Sequence, residues 1–368
     1  MARSKFMWGS LLFGAGALLL TGCPEPDPGV PTSTSSSSST SSTSSSSSTT
    51  STSVPPGGGA TVSRLSAGGA SAAVISRNGR YVAFTSTATS PGVDGNGGAP
   101  DVFLYDWQTA STTRVSGGNA ASTDPSVSDT GAVVFRSAAT DLAGAPANAG
   151  RANVYYWTSG GGMVRVTDSG LDVAAPLVSA DGSTVVFGGP EALVTGASSR
   201  MEALRWQPAA PLVITALAEA GGEGASPVAV SADGGLVLLA EPGRLSLSES
   251  PGIAATVVAA APASPPAPKV TTFSVAPHAI AADGDVVFAE VTYSFDGSGN
   301  VMSFESGVLK RWDRQGATVS TIAAPGAAAG PVVSDDGVRV IVADRDGVSV
   351  DQDDAPAFVP GAIRAVDV

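Results

Sequence analysis

A short pattern that recurs every 50 to 53 residues constrains the fold of this chain more than any other feature. The pattern is Ser-x-Asp-Gly or a close variant, and its glycines are separated by 52, 51, 52, 50 and 53 residues. Self-similarity at a period of this length is the signature of a propeller or a solenoid. The six occurrences are Ser76–Gly79, Ser128–Gly131, Ser179–Gly182, Ser231–Gly234, Ala281–Gly284 and Ser334–Gly337.

Each repeat is predicted to contain four short β-strands. The Asp-Gly or Asn-Gly step supplies the positive φ of a tight hairpin. A strand rich in β-branched and aromatic residues follows at once, as in Val185–Phe187. Third and fourth strands come later, as in Glu202–Trp206 and Leu212–Thr215, and no helical periodicity intervenes. The pattern therefore predicts an all-β fold: a six-bladed β-propeller of four-stranded blades over residues 60–368.

The repeat resembles that of TolB-type β-propellers. Ser179–Phe187, which reads Ser-Ala-Asp-Gly-Ser-Thr-Val-Val-Phe, carries the first half of the resemblance. Asp101–Thr109, leading into Thr113–Ser116, carries the second half. The resemblance spans all six repeats and implies the architecture, without implying a particular activity.

The two ends of the domain offer strands that can close the ring. Thr61–Leu65 matches the fourth-strand pattern of the first repeat yet precedes it, so we expect it to complete the last blade. The last repeat itself offers Pro331–Ser334, Val338–Val342 and Val348–Val350 as strands. Ile363–Val368 either competes for the closing place or adds an edge strand. Joining the ends removes an exposed sheet edge.

The first 23 residues are predicted to be an export signal that ends in a lipid attachment site. Phe6–Leu20 is a 15-residue apolar stretch after two positive charges, which is typical of a signal peptide. Leu20–Cys23, Leu-Thr-Gly-Cys, resembles the lipobox of bacterial lipoproteins. This implies that residues 1–22 are removed and that the thiol of Cys23 is acylated, with Pro24 favouring an outer membrane. The alternative is ordinary secretion with a chance cysteine.

Residues 23–59 are predicted to be a disordered tether. Thr32–Ser53 consists of 22 consecutive Ser and Thr residues, which cannot bury a core. A flexible chain over Pro24–Gly59 spans roughly 30–36 Å. The domain is therefore expected at the bacterial cell envelope, held to the membrane through its lipid.

Composition excludes several functions. The chain has 32 acidic and 19 basic residues, a net charge of −13, which argues against nucleic acid as a partner. One Cys and one His exclude an internal disulfide and the usual zinc sites. The sequence has no Gly-x-Ser-x-Gly elbow of a serine hydrolase. We therefore expect no catalytic residue, no cofactor and no metal ion.

A few polar residues are candidates for chemistry, each with a simpler alternative. His278, predicted on the first strand of the fifth blade near the channel, is a candidate general base, but a structural role is favoured. Asp296, Ser298 and Asn300 alternate as a calcium loop begins, yet Gly307 stands where the bidentate acid is needed. The acidic cluster Asp344–Asp354 and the acids of the Asp-Gly steps are interpreted as hairpin turns.

Aromatic residues recur at one place in the repeats: Tyr105, Trp157, Trp206 and Trp312, with Trp107 two residues further along the same strand face. They are interpreted as packing between neighbouring blades, with a surface that stacks on sugar rings as the alternative.

Two function classes remain. The first is a non-catalytic binding or scaffold protein for a protein or glycan partner, contacted through the connections Thr87–Pro100, Ala138–Ala152 and Ala259–Lys269. The second is a propeller enzyme, a polysaccharide lyase or hydrolase. Convergent acids, Arg, Tyr or His at the channel mouth would favour the enzyme, and an Ala-rich mouth would favour the scaffold.

Overall fold

The computed structural model describes most of the repeat region. Its described residues are 64–66, 69–92, 94–143, 151–168, 170–195, 200–217, 224–249, 254–261, 269–295, 301–323, 331–334, 339–343, 348–349, 357–358 and 363–367. The predicted signal peptide, Cys23 and the tether lie outside these ranges. Within them, no helix has the length and apolar character needed to cross a membrane.

Five four-stranded antiparallel sheets, here called blades one to five, follow one another along the chain, and each is a simple meander. Blade one contains β1 (Ala70–Ile75), β2 (Tyr81–Ser86), β3 (Asp101–Asp106) and β4 (Ser111–Arg114). Blade two contains β5 (Ser122–Val127), β6 (Val133–Ser137), β7 (Asn153–Thr158) and β8 (Gly162–Arg165). Blade three contains β9 (Leu177–Val178), β10 (Val185–Pro190), β11 (Met201–Trp206) and β12 (Ile214–Ala216), with a 3-10 turn at Glu191–Leu193.

Blades four and five complete the series. Blade four contains β13 (Ser226–Val230), β14 (Val237–Glu241), β15 (Arg244–Ser248) and β16 (Thr256–Ala260). Blade five contains β17 (Lys269–Ser274), β18 (Val286–Phe295), β19 (Val301–Asp313) and β20 (Thr318–Ala323). The predicted meander of four strands per repeat is thus confirmed in five repeats.

The last repeat departs from the predicted pairing. Its sheet has three described strands in the order β21 (Val332–Val333), β22 (Arg339–Ala343) and β25 (Ile363–Asp367). The prediction that Val348–Val350 supplies the third strand is wrong, because β23 (Val348–Ser349) pairs with β24 (Ala357–Phe358) in a separate hairpin. The C-terminal segment takes that third place instead. Of the predicted closing strand, residues 64 and 65 are not in a strand and residues 61–63 lie outside the described ranges.

The Ser-x-Asp-Gly motif builds the turn between the first two strands of a blade. In blade three the Ser179 hydroxyl donates to Asp181 Oδ1 over 2.6 Å and accepts from the Thr184 N–H over 3.0 Å. The Ser179 carbonyl accepts from the Gly182 N–H over 3.0 Å. Glycine is needed at the end because its φ is positive, +77° at Gly182 and between +70° and +91° at the four equivalent described glycines. The predicted turn chemistry is confirmed.

Hydrogen bonds connect these turns from one blade to the next. The Asn78 N–H donates to Asp129 Oδ1 over 2.8 Å, between blades one and two. The Asp129 N–H donates to the Ala180 carbonyl over 2.7 Å, between blades two and three. The Asp181 N–H donates to the Ala232 carbonyl over 3.0 Å, between blades three and four. Each turn therefore sets the position of its neighbour.

The hydrophobic core lies between the blades. Val134 of blade two packs in one cluster with Phe187 of blade three. Leu238 of blade four packs with Phe288 of blade five, and Val287 of blade five packs with Val340 of the last sheet. Alternate residues of each second strand thus face the preceding and the following blade, which is the consequence of strand alternation when both sheet faces are covered.

Candidate functional site

The described Ser-x-Asp-Gly turns carry mostly small residues at their second position. This position is occupied by Arg77, Asp129, Ala180, Ala232 and Ala282 in blades one to five. Three of these five are alanine, so this position supplies only two charged side chains, Arg77 and Asp129, in the described turns.

His278 does not lie where the sequence predicted it. It lies in a turn between β17 and Ile280, and not on a strand, because β17 ends at Ser274. Its carbonyl oxygen accepts a hydrogen bond of 3.1 Å from the Val333 N–H. The backbone of His278 therefore connects blade five to the last sheet.

Two of the predicted aromatic positions are core positions between blades. Trp206 is 1% exposed, and its ring centroid lies 5.3 Å from that of Tyr156 in the preceding blade. Trp312 is 3% exposed and packs in the cluster shared by blades four and five. The packing interpretation is confirmed for both.

Trp107 and Trp157 are more exposed than Trp206 and Trp312. Trp107 follows the end of β3 in a turn and is 49% exposed, so its predicted place on the strand face is wrong. Its ring meets Tyr105 edge-on at 5.1 Å. Trp157 is half-buried: it packs against the core between blades one and two, and it also lines a groove beside that core.

This groove, between blades one and two, has a volume of about 260 Å³. It lies beside the end of the first turn of blade one and the facing turn of blade two. Two aromatic rings, two charged side chains and four serine and threonine hydroxyls line it. Its lining residues are Arg80, Tyr81, Leu104, Asp106, Ser111, Thr113, Thr130, Gly131, Trp157 and Ser159.

A bidentate ion pair forms the charged part of the groove. Arg80 Nε donates to Asp106 Oδ1 over 3.0 Å and Arg80 Nη2 donates to Asp106 Oδ2 over 2.8 Å. The Gln108 N–H also donates to Asp106 Oδ1 over 2.9 Å. The Arg80 hydrogen bonds, more than any other contact, lower the pKa of Asp106 from 3.8 to about 2. Asp106 is therefore an ionised acceptor at neutral pH, held in a fixed orientation.

Close contact between Tyr81 and Gly131 forms the aromatic part. The Arg80 guanidinium carbon lies 4.7 Å from the Tyr81 ring centroid. A Cβ atom at Gly131 would lie 2.9 Å from Tyr81 Cζ, so only glycine lets the ring approach the turn of blade two this closely. Sequence reasoning missed this second role of Gly131. The contact joins two blades, so the order of residues within one repeat does not reveal it.

The connection Thr87–Pro100 is attached to the core of blade one by a buried arginine. Arg114 forms an ion pair with Asp101, and their side chains are 4% and 1% exposed. Arg114 Nη2 also donates to the Ala88 carbonyl over 2.6 Å and its Nε donates to the Pro91 carbonyl over 3.0 Å. Burial raises the pKa of Asp101, although Arg114 opposes that shift. The Arg114 contacts therefore anchor the connection Thr87–Pro100, which was predicted to contact a partner, to the core of blade one.

The predicted calcium loop is only partly covered by the structure. Asp296, Ser298 and Asn300 lie outside the described residues, as do residues 344–347 and 350–354 of the acidic cluster. Gly307 lies within β19, opposite Val291, so the twelfth position of the loop pattern belongs to a paired strand.

The sequence matches no protein-family model and no curated protein. Among solved structures, the chain is similar to TolB from Acinetobacter baumannii, with 15% identity, a TM-score of 0.42 and coverage of 78% of this chain and 66% of that one. It is similar to an oligogalacturonate lyase from Vibrio parahaemolyticus, with 10% identity, a TM-score of 0.48 and coverage of 79% and 75%. It is also similar to dipeptidyl peptidase 4 from Porphyromonas gingivalis, with 12% identity, a TM-score of 0.45 and coverage of 77% and 44%.

The chain spans less than two thirds of the length of the first and third of these proteins. The TM-scores all lie below 0.5, so the assignment rests on the molecule's own geometry. Consecutive four-stranded meanders with a core between each pair define the class of β-propeller proteins. Within that class the function depends on the individual site, since one fold supports many functions.

Proposed function

We propose that this protein is a binding module tethered to the bacterial cell envelope, which holds a protein or glycan partner without catalysing a reaction. The observation that carries the proposal is that the carboxylates of the Asp-Gly turns accept hydrogen bonds within their own turns. The Ser231 hydroxyl and the Gly235 N–H both donate to Asp233, and they lower its pKa. Asp181 forms the equivalent bonds. Carboxylates held in this way serve as turn acceptors rather than as acids or bases.

Rigidity supports the same proposal. Hydrogen bonds connect the turns in series from Asn78 of blade one to Ala232 of blade four, so these turns form one connected surface. A rigid scaffold that presents loops and grooves is the usual basis of recognition. The net charge of −13 favours neutral or basic partners over polyanions.

The proposal includes a closed ring of six blades. The residue just before the first Ser (or Ala) of the motif packs between blades, and it is nearly inaccessible in five repeats: Val127 6%, Val178 6%, Val230 4%, Ile280 0% and Val333 4% exposed. The equivalent Ile75 of blade one is 51% exposed. Beside it, Leu65, Val82 and Phe84 line an apolar cavity of about 260 Å³. A last blade formed by the C-terminal repeat is the occupant that fits this face.

The proposal also includes the lipid anchor at Cys23, which the Leu-Thr-Gly-Cys sequence at Leu20–Cys23 supports. Metabolic labelling with a fatty-acid analogue tests it. The wild-type chain should take up label and partition with membranes, and Cys23→Ala should do neither. Equal labelling of the variant would contradict the anchor.

Affinity capture tests the binding function itself. The full chain, cross-linked in the native envelope, should retain a specific partner that a version with residues 94–98 deleted from the connection Thr87–Pro100 retains less well. The deletion removes the Asn96 hydrogen bond to Asp101 but leaves the Arg114 contacts to Ala88 and Pro91, so it changes mainly the outer part of the loop. Turnover of an envelope polysaccharide by the purified chain, lost on a single side-chain change, would instead indicate the lyase or hydrolase.

A further inference from the structure

We infer that the groove between blades one and two binds one ring of a neutral sugar, at the end or at a branch of a glycan. This inference deepens the proposed binding function and rests on it. The groove lies between two neighbouring blades, beside the third and fourth strands of blade one and the first turn of blade two.

The lining carries the two kinds of group that recognise sugars. Trp157 offers apolar ring surface, on which the C–H face of a pyranose packs. The Tyr81 ring, which carries the Arg80 guanidinium, forms the wall beside it. Asp106 and Arg80 offer an acceptor and donors side by side, which is the arrangement that binds two adjacent hydroxyls. The Ser111, Thr113, Thr130 and Ser159 hydroxyls add further polar contacts. Aromatic side chains beside fixed polar groups are common in small-molecule sites.

Charge selects among sugars. Arg80 and Asp106 neutralise each other, and the lining contains no other ionised side chain. A uronate would place a carboxylate beside Asp106, and its attraction to Arg80 would have to compete with the existing bidentate pair. An uncharged sugar leaves the ion pair intact. Its hydroxyls bind the Asp106 lone pairs and the Arg80 N–H groups that the pair itself does not occupy.

Size sets how much of a glycan enters. The volume of about 260 Å³ lies below the roughly 300–1,000 Å³ of sites for drug-sized ligands, so it suits a single ring. Gly131 shapes the wall of this groove, since a Cβ atom there would lie 2.9 Å from Tyr81 Cζ and would displace the ring.

The test uses the full chain in a detergent without a sugar headgroup. Maltotriose, cellotriose and triacetylchitotriose are the neutral probes, trigalacturonate is the anionic probe, and binding is measured by saturation-transfer NMR and calorimetry. At least one neutral trisaccharide should bind, and more tightly than trigalacturonate. Asp106→Asn should weaken that binding by about tenfold or more, and Trp157→Phe should weaken it measurably.

Two control variants keep the result specific. Asp172→Asn removes the acid of the ion pair Arg151–Asp172, whose side chains are 57% exposed and which does not line the groove. Trp107→Ala removes an exposed indole outside the lining. Both should bind the sugar as the wild type does. Thermal unfolding should show that Asp106→Asn is folded at the assay temperature.

Three outcomes would overturn the inference: no neutral trisaccharide binds, trigalacturonate binds more tightly, or Asp106→Asn and Trp157→Phe bind like the wild type. Its failure can be separated from failure of the proposed function. If the cross-linked chain still captures a partner while the sugars do not bind, only the groove assignment is wrong. If capture fails as well, the binding function is wrong too.

Discussion

Arg77 Nη2 donates a hydrogen bond of 2.9 Å to the carbonyl oxygen of Ile280, although the two residues are 203 positions apart. Arg77 belongs to the first turn of blade one, and Ile280 precedes the motif of blade five. The series of blades therefore curves until its first and fifth members come within the reach of one arginine side chain. The proposed ring of blades requires curvature of this kind.

Replacement of Ile75 tests whether the ring is closed. Ile75→Ala should lower the free energy of unfolding by about 2–5 kcal/mol if a last blade covers this residue. Ile280→Ala is the matched control, because the same side chain occupies the same repeat position at 0% exposure. Urea denaturation of both variants measures the comparison. A loss within about 0.5 kcal/mol for Ile75→Ala, beside a large loss for Ile280→Ala, would indicate an open ring.

The two glycines of the first and second turns should differ in their tolerance of alanine. Gly79 has a φ of +72° and open space where a Cβ atom would lie. Gly79→Ala should therefore lower the free energy of unfolding only by the backbone strain, about 1–2 kcal/mol. Gly131→Ala adds the contact with Tyr81 and should cost more. In a Tyr81→Ala background the extra cost at Gly131 should disappear, which chemical denaturation of the double-mutant cycle measures. Equal costs in both backgrounds would contradict the close approach.

The loss of stability on replacement should distinguish the core tryptophan Trp206 from the surface tryptophan Trp107. Trp206→Ala should destabilise the protein by about 3–5 kcal/mol, because it leaves a cavity between blades two and three. It also removes the hydrogen bond of 3.0 Å from Trp206 Nε1 to the Pro211 carbonyl. Trp107→Ala should cost about 1 kcal/mol or less, the scale of its edge contact with Tyr105. Thermal unfolding of the two variants checks the contrast, and similar losses would refute it.

The ion pair in the groove predicts a specific pH dependence. Because the pKa of Asp106 is lowered to about 2 in the folded protein, its ionised form favours folding. This contribution is present above the unfolded value of 3.8 and is lost as the pH falls towards 2. The wild type should therefore exceed Asp106→Asn in stability at about pH 6, by about 1 kcal/mol or less since Arg80 is 39% exposed. The difference should shrink between about pH 4 and pH 2, and a constant difference would argue against it.

Local features of the fold were predictable from the sequence. The turn at Ser179–Gly182 and the strand that follows it depend on a positive φ and on β-branched residues, both of which are visible in the sequence. The third strand of blade three, β11, was placed to within one residue. Because the pattern repeats, the same turn and strand were recognisable in several repeats.

Pairing in the last repeat and the groove were not predictable in the same way. Val348–Ser349 and Ile363–Asp367 are both short apolar segments, and the choice of which pairs with β22 depends on distant contacts. The Arg80–Asp106 pair joins two strands through their register, in which Asp106 lies opposite Tyr81. Alignment of that register alone would have revealed the pair, but Trp157 enters the groove from the next repeat.

The exposed Ile75 has a consequence for how the protein is made. A ribosome releases blade one first, whereas the repeat proposed to cover Ile75 is the last to emerge. During that interval the apolar face of blade one that contains Ile75 remains uncovered. A chain truncated before its last repeat should therefore be prone to aggregation through this exposed apolar face.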